Sequence, residues 1–329
     1  MSSITRRGTL AFSASAPLAL STVAHAASEH GAARLAGKSI LITGCSSGFG
    51  RLGALHYAQL GARVVASMRN VPRDESQTLI SKAKSSGLDL RVVEIDVTSE
   101  RSVSEGVVEA EEFIGGTPDI LVNNAGIAIV GPLETQDVEA TRLAYETNVI
   151  GYQRMIRAVL PKMRARKSGH IINMSSQSGR LIWPGLGNYC PTKFAVEAMS
   201  ETLAYETALL GIDISIIQPG GYPTKFWENR ERLTKDLKDR SDAAHLDGYG
   251  AMSAQMGSGR IPNLVGDPMD VPRAIADTMA LPAGQRPLRV QVSSGGDPQE
   301  TINMVNHETH LRFLGRGPFG DAARKVLSS

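Results

Sequence analysis

Residues 39–50 constrain the fold more than any other part of the chain. A short apolar run at 39–43 stops at Gly44, passes through Cys45-Ser46-Ser47-Gly48-Phe49-Gly50 and enters a helical pattern at 48–60. An apolar run bounded by glycine reads as a strand buried on both faces, which belongs in a parallel sheet. Parallel neighbours need a crossover between them, and a helix entered directly through glycines supplies one. The alternation then repeats. Strand patterns at 63–67, 90–94, 120–123, 170–174, 212–218 and 288–292 are separated by helical patterns at 99–113, 138–164 and 188–210. The sequence therefore predicts an α/β fold, a Rossmann-type doubly wound parallel sheet of about seven strands flanked by helices, as one domain over 38–292.

Two segments break the rhythm. Residues 226–268 carry charged runs and then a Gly/Ser/Met stretch, which reads as a surface loop or a lid over a site. Residues 293–329 form a polar C-terminal extension with a weak helix at 320–327. His307 and His310 lie three apart there, but no further ligand cluster accompanies them, so no metal site is expected.

The 329 residues are 42% hydrophobic and 21% charged, an ordinary globular balance, and the net charge of +2 is spread along the chain. Neither points to nucleic acid or a membrane as a partner. The two cysteines, Cys45 and Cys190, make no disulfide framework. At the N-terminus, Arg6-Arg7 precede a mildly apolar stretch at 10–23, and Ala24-His25-Ala26 supplies a small-x-small cleavage site. Residues 1–26 thus read as a twin-arginine-type signal peptide, with Thr9 where that pattern prefers Phe. Periplasmic export is expected; an uncleaved leader on a cytoplasmic protein is the alternative.

The chemistry concentrates in a few places. Glycines between strand and helix let backbone N–H groups approach a pyrophosphate at the helix N-terminus, where the dipole favours an anion. The spacing here is Gly44-x-x-x-Gly48-x-Gly50. A residue that reads the ribose is expected at the end of the second strand. No carboxylate stands there; Arg69 does, and with Ser46 it suits the 2′-phosphate of NADP(H) better than the free hydroxyl of NAD(H). Tyr189 and Lys193 are four apart, hence on one helix face, with Ser176 upstream. An ammonium held beside a phenol lowers its pKa from about 10 and fits it for proton transfer to or from an alcohol or carbonyl oxygen.

With Asn123-Asn124-Ala125-Gly126 and Ser176/Tyr189/Lys193 in order behind the glycine turn, the chain resembles the short-chain dehydrogenase/reductase family over 38–224, more loosely to 292. Its wording is similar to the hydroxysteroid and retinol dehydrogenase branch. The resemblance implies cofactor contacts from Gly44, Ser46, Ser47, Gly48, Phe49, Gly50, Arg69, Asp96, Val97, Asn124, Ala125, Gly126, Tyr189, Lys193, Pro219, Gly220 and Thr224. It implies a relay of Asn148, Ser176, Tyr189 and Lys193: the tyrosine exchanges the proton, the lysine lowers its pKa and holds the nicotinamide ribose, the serine polarises the substrate oxygen, and a water is held on the asparagine carbonyl. It further implies a homodimer or homotetramer paired through 138–164 and 188–210, and a small alcohol, ketone or aldehyde substrate. That substrate is expected to be apolar, faced by Trp183, Phe226 and Trp227. The expected function is an NADP(H)-dependent oxidoreductase. A non-redox isomerase or lyase on the same fold, and a cofactor sensor without turnover, are the alternatives.

Overall fold

The computed structural model describes residues 34–328; the leader at 1–26 lies outside the described residues. Seven strands form one parallel sheet: β1 (Ser39–Ile42), β2 (Arg63–Met68), β3 (Leu90–Glu94), β4 (Ile120–Asn123), β5 (Gly169–Met174), β6 (Ile212–Pro219) and β7 (Arg289–Val292). Their order is β3-β2-β1-β4-β5-β6-β7, the doubly wound arrangement expected. The chain winds outward from β1 on one side, then restarts at β4 on the other. The carboxyl ends of β1 and β4 therefore open a crevice where connections leave in opposite directions.

Alternation along each strand splits the core in two. Ile40, Ile42, Val64, Ala66, Val122 and Ile172 pack on one face with α1 (Gly48–Gln59). Leu41, Val65, Val93, Leu121 and Ile171 pack on the other, against helices between β3 and β6. A strand residue buried on either face contributes roughly 1.5–3 kcal/mol, so these short central strands need no polar face. The other helices are α2 (Asp74–Ser85), α3 (Glu100–Ile114), α4 (Val138–Tyr145), α5 (Gly151–Ala165), α6 (Tyr189–Thr207), α7 (Phe226–Arg240), α8 (Ala243–Leu246), α9 (Ala251–Gln255), α10 (Asp270–Ala280), α11 (Glu300–Leu314) and α12 (Gly320–Leu327). Ser99 and Asp137 start α3 and α4 by accepting hydrogen bonds from the N–H groups of Ser102 and Ala140.

The structure corrects several expectations. Helix 138–164 is interrupted: Glu146–Ile150 forms one π turn between α4 and α5. Helices α2 and α10 were not anticipated. The first is largely polar, ordered by Asp74 and Glu75 in its first turn and Lys82 and Lys84 in its last. The second carries Pro272 in its first turn, where a missing N–H costs no hydrogen bond. Segment 226–268 is largely helical and is anchored: Leu237 and Met256 bury against Ile129 and Ala140. The extension is no loose polar tail either, since α11 bonds to α6 through His310 and Glu201.

Gly106 sits where α3 crosses the end of β3. An added Cβ would lie 2.3 Å from Ile95 Cγ1 and 2.5 Å from the Glu94 carbonyl oxygen. Gly→Ala within a helix is normally favourable, but here backbone stands in the way. Gly106→Ala is expected to destabilise the fold by about 1–3 kcal/mol, read as a lower midpoint in urea unfolding.

Candidate active site

The glycine turn is built by its neighbours. The Cys45 N–H donates to the Ser67 carbonyl at 2.8 Å, joining the turn to the end of β2. The buried Thr43 hydroxyl accepts from the backbone N–H of Asn124 and of Ala125, both at 3.0 Å, joining it to the loop after β4. Asn124 donates its amide to the Thr43 carbonyl at 2.8 Å. Gly44 adopts φ +74°, and a Cβ there would meet Ala125 Cα at 2.8 Å; at Gly50 a Cβ would meet the Gly44 carbonyl oxygen at 2.4 Å. Only glycine tolerates these approaches.

The first turn of α1 opens into the crevice. The Ser47 side chain makes no capping bond and the turn holds no acidic residue, so its N–H groups present a positive helix end. The site fits a dinucleotide pyrophosphate: a glycine cradle, backbone donors and no competing carboxylate. Arg69 is exposed one residue beyond β2, whose Ser67 touches the turn, and Ser46 is half-buried in the turn itself. Asp96 lies past β3, where its carboxylate accepts from the Thr98 N–H and hydroxyl at 3.0 and 2.8 Å, and Val97 is buried beside it. Across the crevice, β6 ends at Pro219, and the Gly220 N–H donates to the Val292 carbonyl at 2.9 Å. Thr224 comes back over the turn, within 3.7 Å of where a Gly48 Cβ would stand.

Asn148 occupies the π turn, fully buried. Its Oδ1 accepts from the Ile127 N–H at 2.9 Å, while Nδ2 donates to the Ile127 carbonyl at 2.9 Å and to the Thr192 hydroxyl at 3.1 Å. Single π turns widen a helix locally; here the widening carries an amide that ties α6 to the loop after β4. A Cβ on Gly126 would lie 3.4 Å from Asn148 Oδ1 and 3.8 Å from Lys193 Nζ. Asn148, Gly126 and Lys193 thus meet at one point.

Lys193 is buried, its ammonium donating to the Met174 carbonyl at 2.8 Å and lying 5.8 Å from the ring centres of both Tyr189 and Tyr152. Burial brings its pKa down to about 8, opposed by the charge of Glu197. The Tyr189 ring is partly open, yet its hydroxyl lies deep in protein and burial pushes the phenol up to about 12; a hydrogen bond with Ser176 pulls the other way. Ser176 also accepts from the Ser178 N–H at 3.1 Å. The expectation that the cation lowers the phenol is corrected in its net sign. Desolvation is the largest influence on each and drives both groups toward their neutral forms.

The three aromatics expected around a substrate separate. Phe226 lies 5.9 Å from Tyr189, ring centre to ring centre. Trp227 stands edge-on to Phe226, donates its indole N–H to the Tyr222 carbonyl at 2.7 Å and carries the Arg230 guanidinium on its face. Trp183 is exposed on the segment before α6. Sequence reasoning passed over Thr43, Thr192 and Tyr152. The first two occupy unremarkable positions beside motif residues. Tyr152, whose hydroxyl donates to the same Met174 carbonyl as Lys193, is marked by nothing but its helix.

A family model described as short chain dehydrogenase matches residues 38–234. A 3-ketodihydrosphingosine reductase of Bacteroides thetaiotaomicron is 38% identical over 208 residues, covering 62% of this chain and 72% of that protein. Human retinol dehydrogenase 8 is 38% identical over 195 residues, 57% of this chain and 60% of its own length. Among solved structures, a short-chain dehydrogenase from Streptomyces avermitilis superposes with a TM-score of 0.65 at 28% identity, covering 84% of this chain and 95% of that one. A gluconate 5-dehydrogenase from Burkholderia cenocepacia, in complex with NADP and tartrate, superposes with a TM-score of 0.55 at 30% identity, covering 63% and 81%.

Since Asn124 holds the turn to the β4 loop, Asn124→Ala leaves the Thr43 carbonyl without its amide partner. A loss of about 1–3 kcal/mol of stability is expected. A parallel weakening of nicotinamide dinucleotide binding, followed by the fluorescence of the reduced nucleotide, is expected to accompany it; unchanged melting and binding would refute the stitching role.

Proposed function

The chain belongs to the short-chain dehydrogenase family, in the hydroxysteroid and retinol dehydrogenase-like branch, and on that footing we propose that it is an NADP(H)-dependent oxidoreductase acting on an apolar alcohol or carbonyl compound. The observation that carries this reading is the meeting of Tyr189, Lys193, Asn148 and Gly126 at the carboxyl edge of the sheet, facing the glycine cradle. When bound, the nicotinamide supplies or accepts the hydride. The chain's residues do the rest. Gly44, Gly48, Gly50 and the first turn of α1 seat the pyrophosphate. Arg69 and Ser46 take the 2′-phosphate, Asp96 and Val97 flank the adenine, and Pro219, Gly220 and Thr224 close over the nicotinamide end. Solved structures similar to this chain include an NADP complex and an NAD complex, so the preference rests on Arg69 and Ser46.

Ser176 orients the substrate oxygen and Tyr189 exchanges its proton. With its phenol pushed up to about 12, Tyr189 is protonated across the neutral range and suited to giving a proton to a carbonyl oxygen. Lys193 supplies positive charge beside it, and Asn148 fixes α6 against the β4 loop so that the distance holds. Phe226 closes the apolar side over Tyr189. The names of two relatives, a 3-ketodihydrosphingosine reductase and retinol dehydrogenase 8, agree with an apolar substrate.

The same reading extends to assembly and location. Between α5 and α6 runs a groove with a cavity of about 530 Å³, lined by Ile156, Leu160, Met199 and Leu203 among others, and pairing of two copies there is proposed. Among the described residues no helix is long and apolar enough to cross a membrane. Export through the leader is proposed as well, and predicts a mature N-terminus near Ala27 by N-terminal sequencing of the periplasmic fraction.

Two measurements test the core of the proposal. A panel of ketones and aldehydes with NADPH and NADH should give turnover preferring NADPH. Tyr189→Phe should lower that turnover by about 10²–10⁴-fold with NADPH affinity nearly unchanged, and substantial retained turnover would sink the assignment. Arg69→Asp should weaken NADPH binding roughly 10–100-fold, the range for losing a charged hydrogen bond, while leaving NADH binding intact or improved.

A further inference from the structure

Helix α11 has its polarity reversed. A surface helix normally turns an apolar stripe to the core and a polar face to solvent. In α11 the half-buried residues are Asn303, Asn306, His307, His310 and Leu314, which recur at helical spacing and form the inner stripe. All but Leu314 are polar, and hydrogen bonds hold them. Asn303 accepts from Arg180 Nε at 2.8 Å and donates to Gln218 Oε1 at 2.7 Å. His310 Nδ1 meets Glu201 Oε1 on α6 at 2.6 Å, and Asn306 donates to Glu201 Oε2 at 3.3 Å. The apolar side chains stand outside. Met304 and Val305 are 52% and 55% exposed, Phe313 and the following Phe319 are 78% and 60% exposed, and Ile302 and Leu311 are exposed with them. No residue of α11 is buried.

Two charges stand within this apolar surface, Glu308 and Arg312, both exposed and four residues apart. Among the described residues neither side chain has an ion-pair or hydrogen-bond partner. That pattern says what covers the face. A bilayer would accept the apolar side chains but would strand Glu308 among them, a costly burial without a partner. A second copy satisfies both charges. Helices related by a two-fold axis perpendicular to them run antiparallel, and residues equidistant from the axis face one another. An axis at the level of residue 310 sets 308 opposite 312 in both directions. We propose that the outer face of α11 joins two copies of this chain, paired antiparallel, with Glu308 of each copy opposite Arg312 of the other and the apolar side chains closing around the two ion pairs. The hydrogen bonds of the inner stripe fix the rotation of α11 about its own axis and so hold that face in register. This surface is separate from the groove between α5 and α6. Glu201, which receives α11, lies two residues from both Met199 and Leu203 and so points away from the groove that those two line. The inference does not depend on the catalytic reading.

The test is sedimentation velocity of the full chain at micromolar concentration. Glu308→Arg sets two cations against each other across the axis and Arg312→Glu sets two anions, so each variant alone should roughly halve the mass of the assembled species. Both positions are exposed, so thermal melting of the separated species should keep the shape of a folded protein. Mixing the two variants in equal amounts makes every cross-axis pair opposite in charge again and should restore the native mass. The double variant Val305→Glu/Phe313→Glu should also halve the mass, and mixing should not rescue it. The pairing proposed at α5 and α6 fails separately, through Leu203→Arg. A native chain that is monomeric, single variants that keep the native mass, or a mixture that stays at the halved mass would each overturn the proposal. So would co-flotation of the native chain with phosphatidylglycerol vesicles that Val305→Glu/Phe313→Glu abolishes while the mass in solution stays unchanged, which would assign the face to a membrane surface.

Discussion

One hydroxyl and one amide hold the crevice open. Thr43 ends β1 and Asn124 follows β4, and these are the strands between which the winding of the sheet reverses. A parallel sheet has no hairpins at this edge, so its strand ends would otherwise leave as independent loops. By accepting from two consecutive backbone N–H groups, Thr43 sets the β4 loop against the glycine turn. Asn124 returns a bond to the Thr43 carbonyl. Everything downstream inherits that register: Ile127 is placed to clasp Asn148, Asn148 reaches Thr192, and Thr192 fixes the first turn of α6 by donating to the Tyr189 carbonyl at 2.7 Å. The site is assembled through buried hydrogen bonds whose loss would strand polar groups away from water.

Burial sets the electrostatics of the pair that this chain of bonds delivers. In water a lysine loses its proton at slightly higher pH than a tyrosine. Here the order is reversed, with Lys193 at about 8 and Tyr189 at about 12. Desolvation penalises whichever form is charged, so it lowers one and raises the other. The consequence is directional. A phenol that keeps its proton is poised as an acid, and an ammonium near its midpoint responds to modest nearby charges.

How much of this was legible in the sequence follows from how local each signal is. The strands announced themselves as short apolar runs because both sheet faces are covered, and residues 39–43 needed no partner to be read. The glycine turn, Ser176, Tyr189 and Lys193 were legible as types at a spacing, and Asn148 only through the family resemblance. What escaped was set by contacts far apart in the chain. The π turn depends on Asn148 meeting Ile127 and Thr192, which no helical period in 138–164 reveals. The upward shift of Tyr189 depends on how deeply its hydroxyl lies, a property of packing. Helix α11 looked like a polar tail because Asn303, Asn306 and His310 are polar; their partners, Gln218, Arg180 and Glu201, are distant in sequence.

Segment 226–268 divides into a fixed part and a part that faces Tyr189. Its far half is secured: the Val130 N–H donates to the buried Thr234 hydroxyl at 3.0 Å, Leu237 and Met256 join the apolar cluster with Ile129, and Arg240 pairs with Asp137 at 2.7 Å. Its near half begins with Phe226 on Tyr189 and Trp227 anchored to Tyr222. A helix held at its end and presenting aromatics at its start keeps their position without specifying it by local sequence. Substitutions at Phe226 can therefore alter the apolar wall while Thr234 and Leu237 preserve the helix that carries it. The hydrogen bonds that fix the first turn of α6 run through Asn148 and the β4 loop, so they do not depend on the residue at 226.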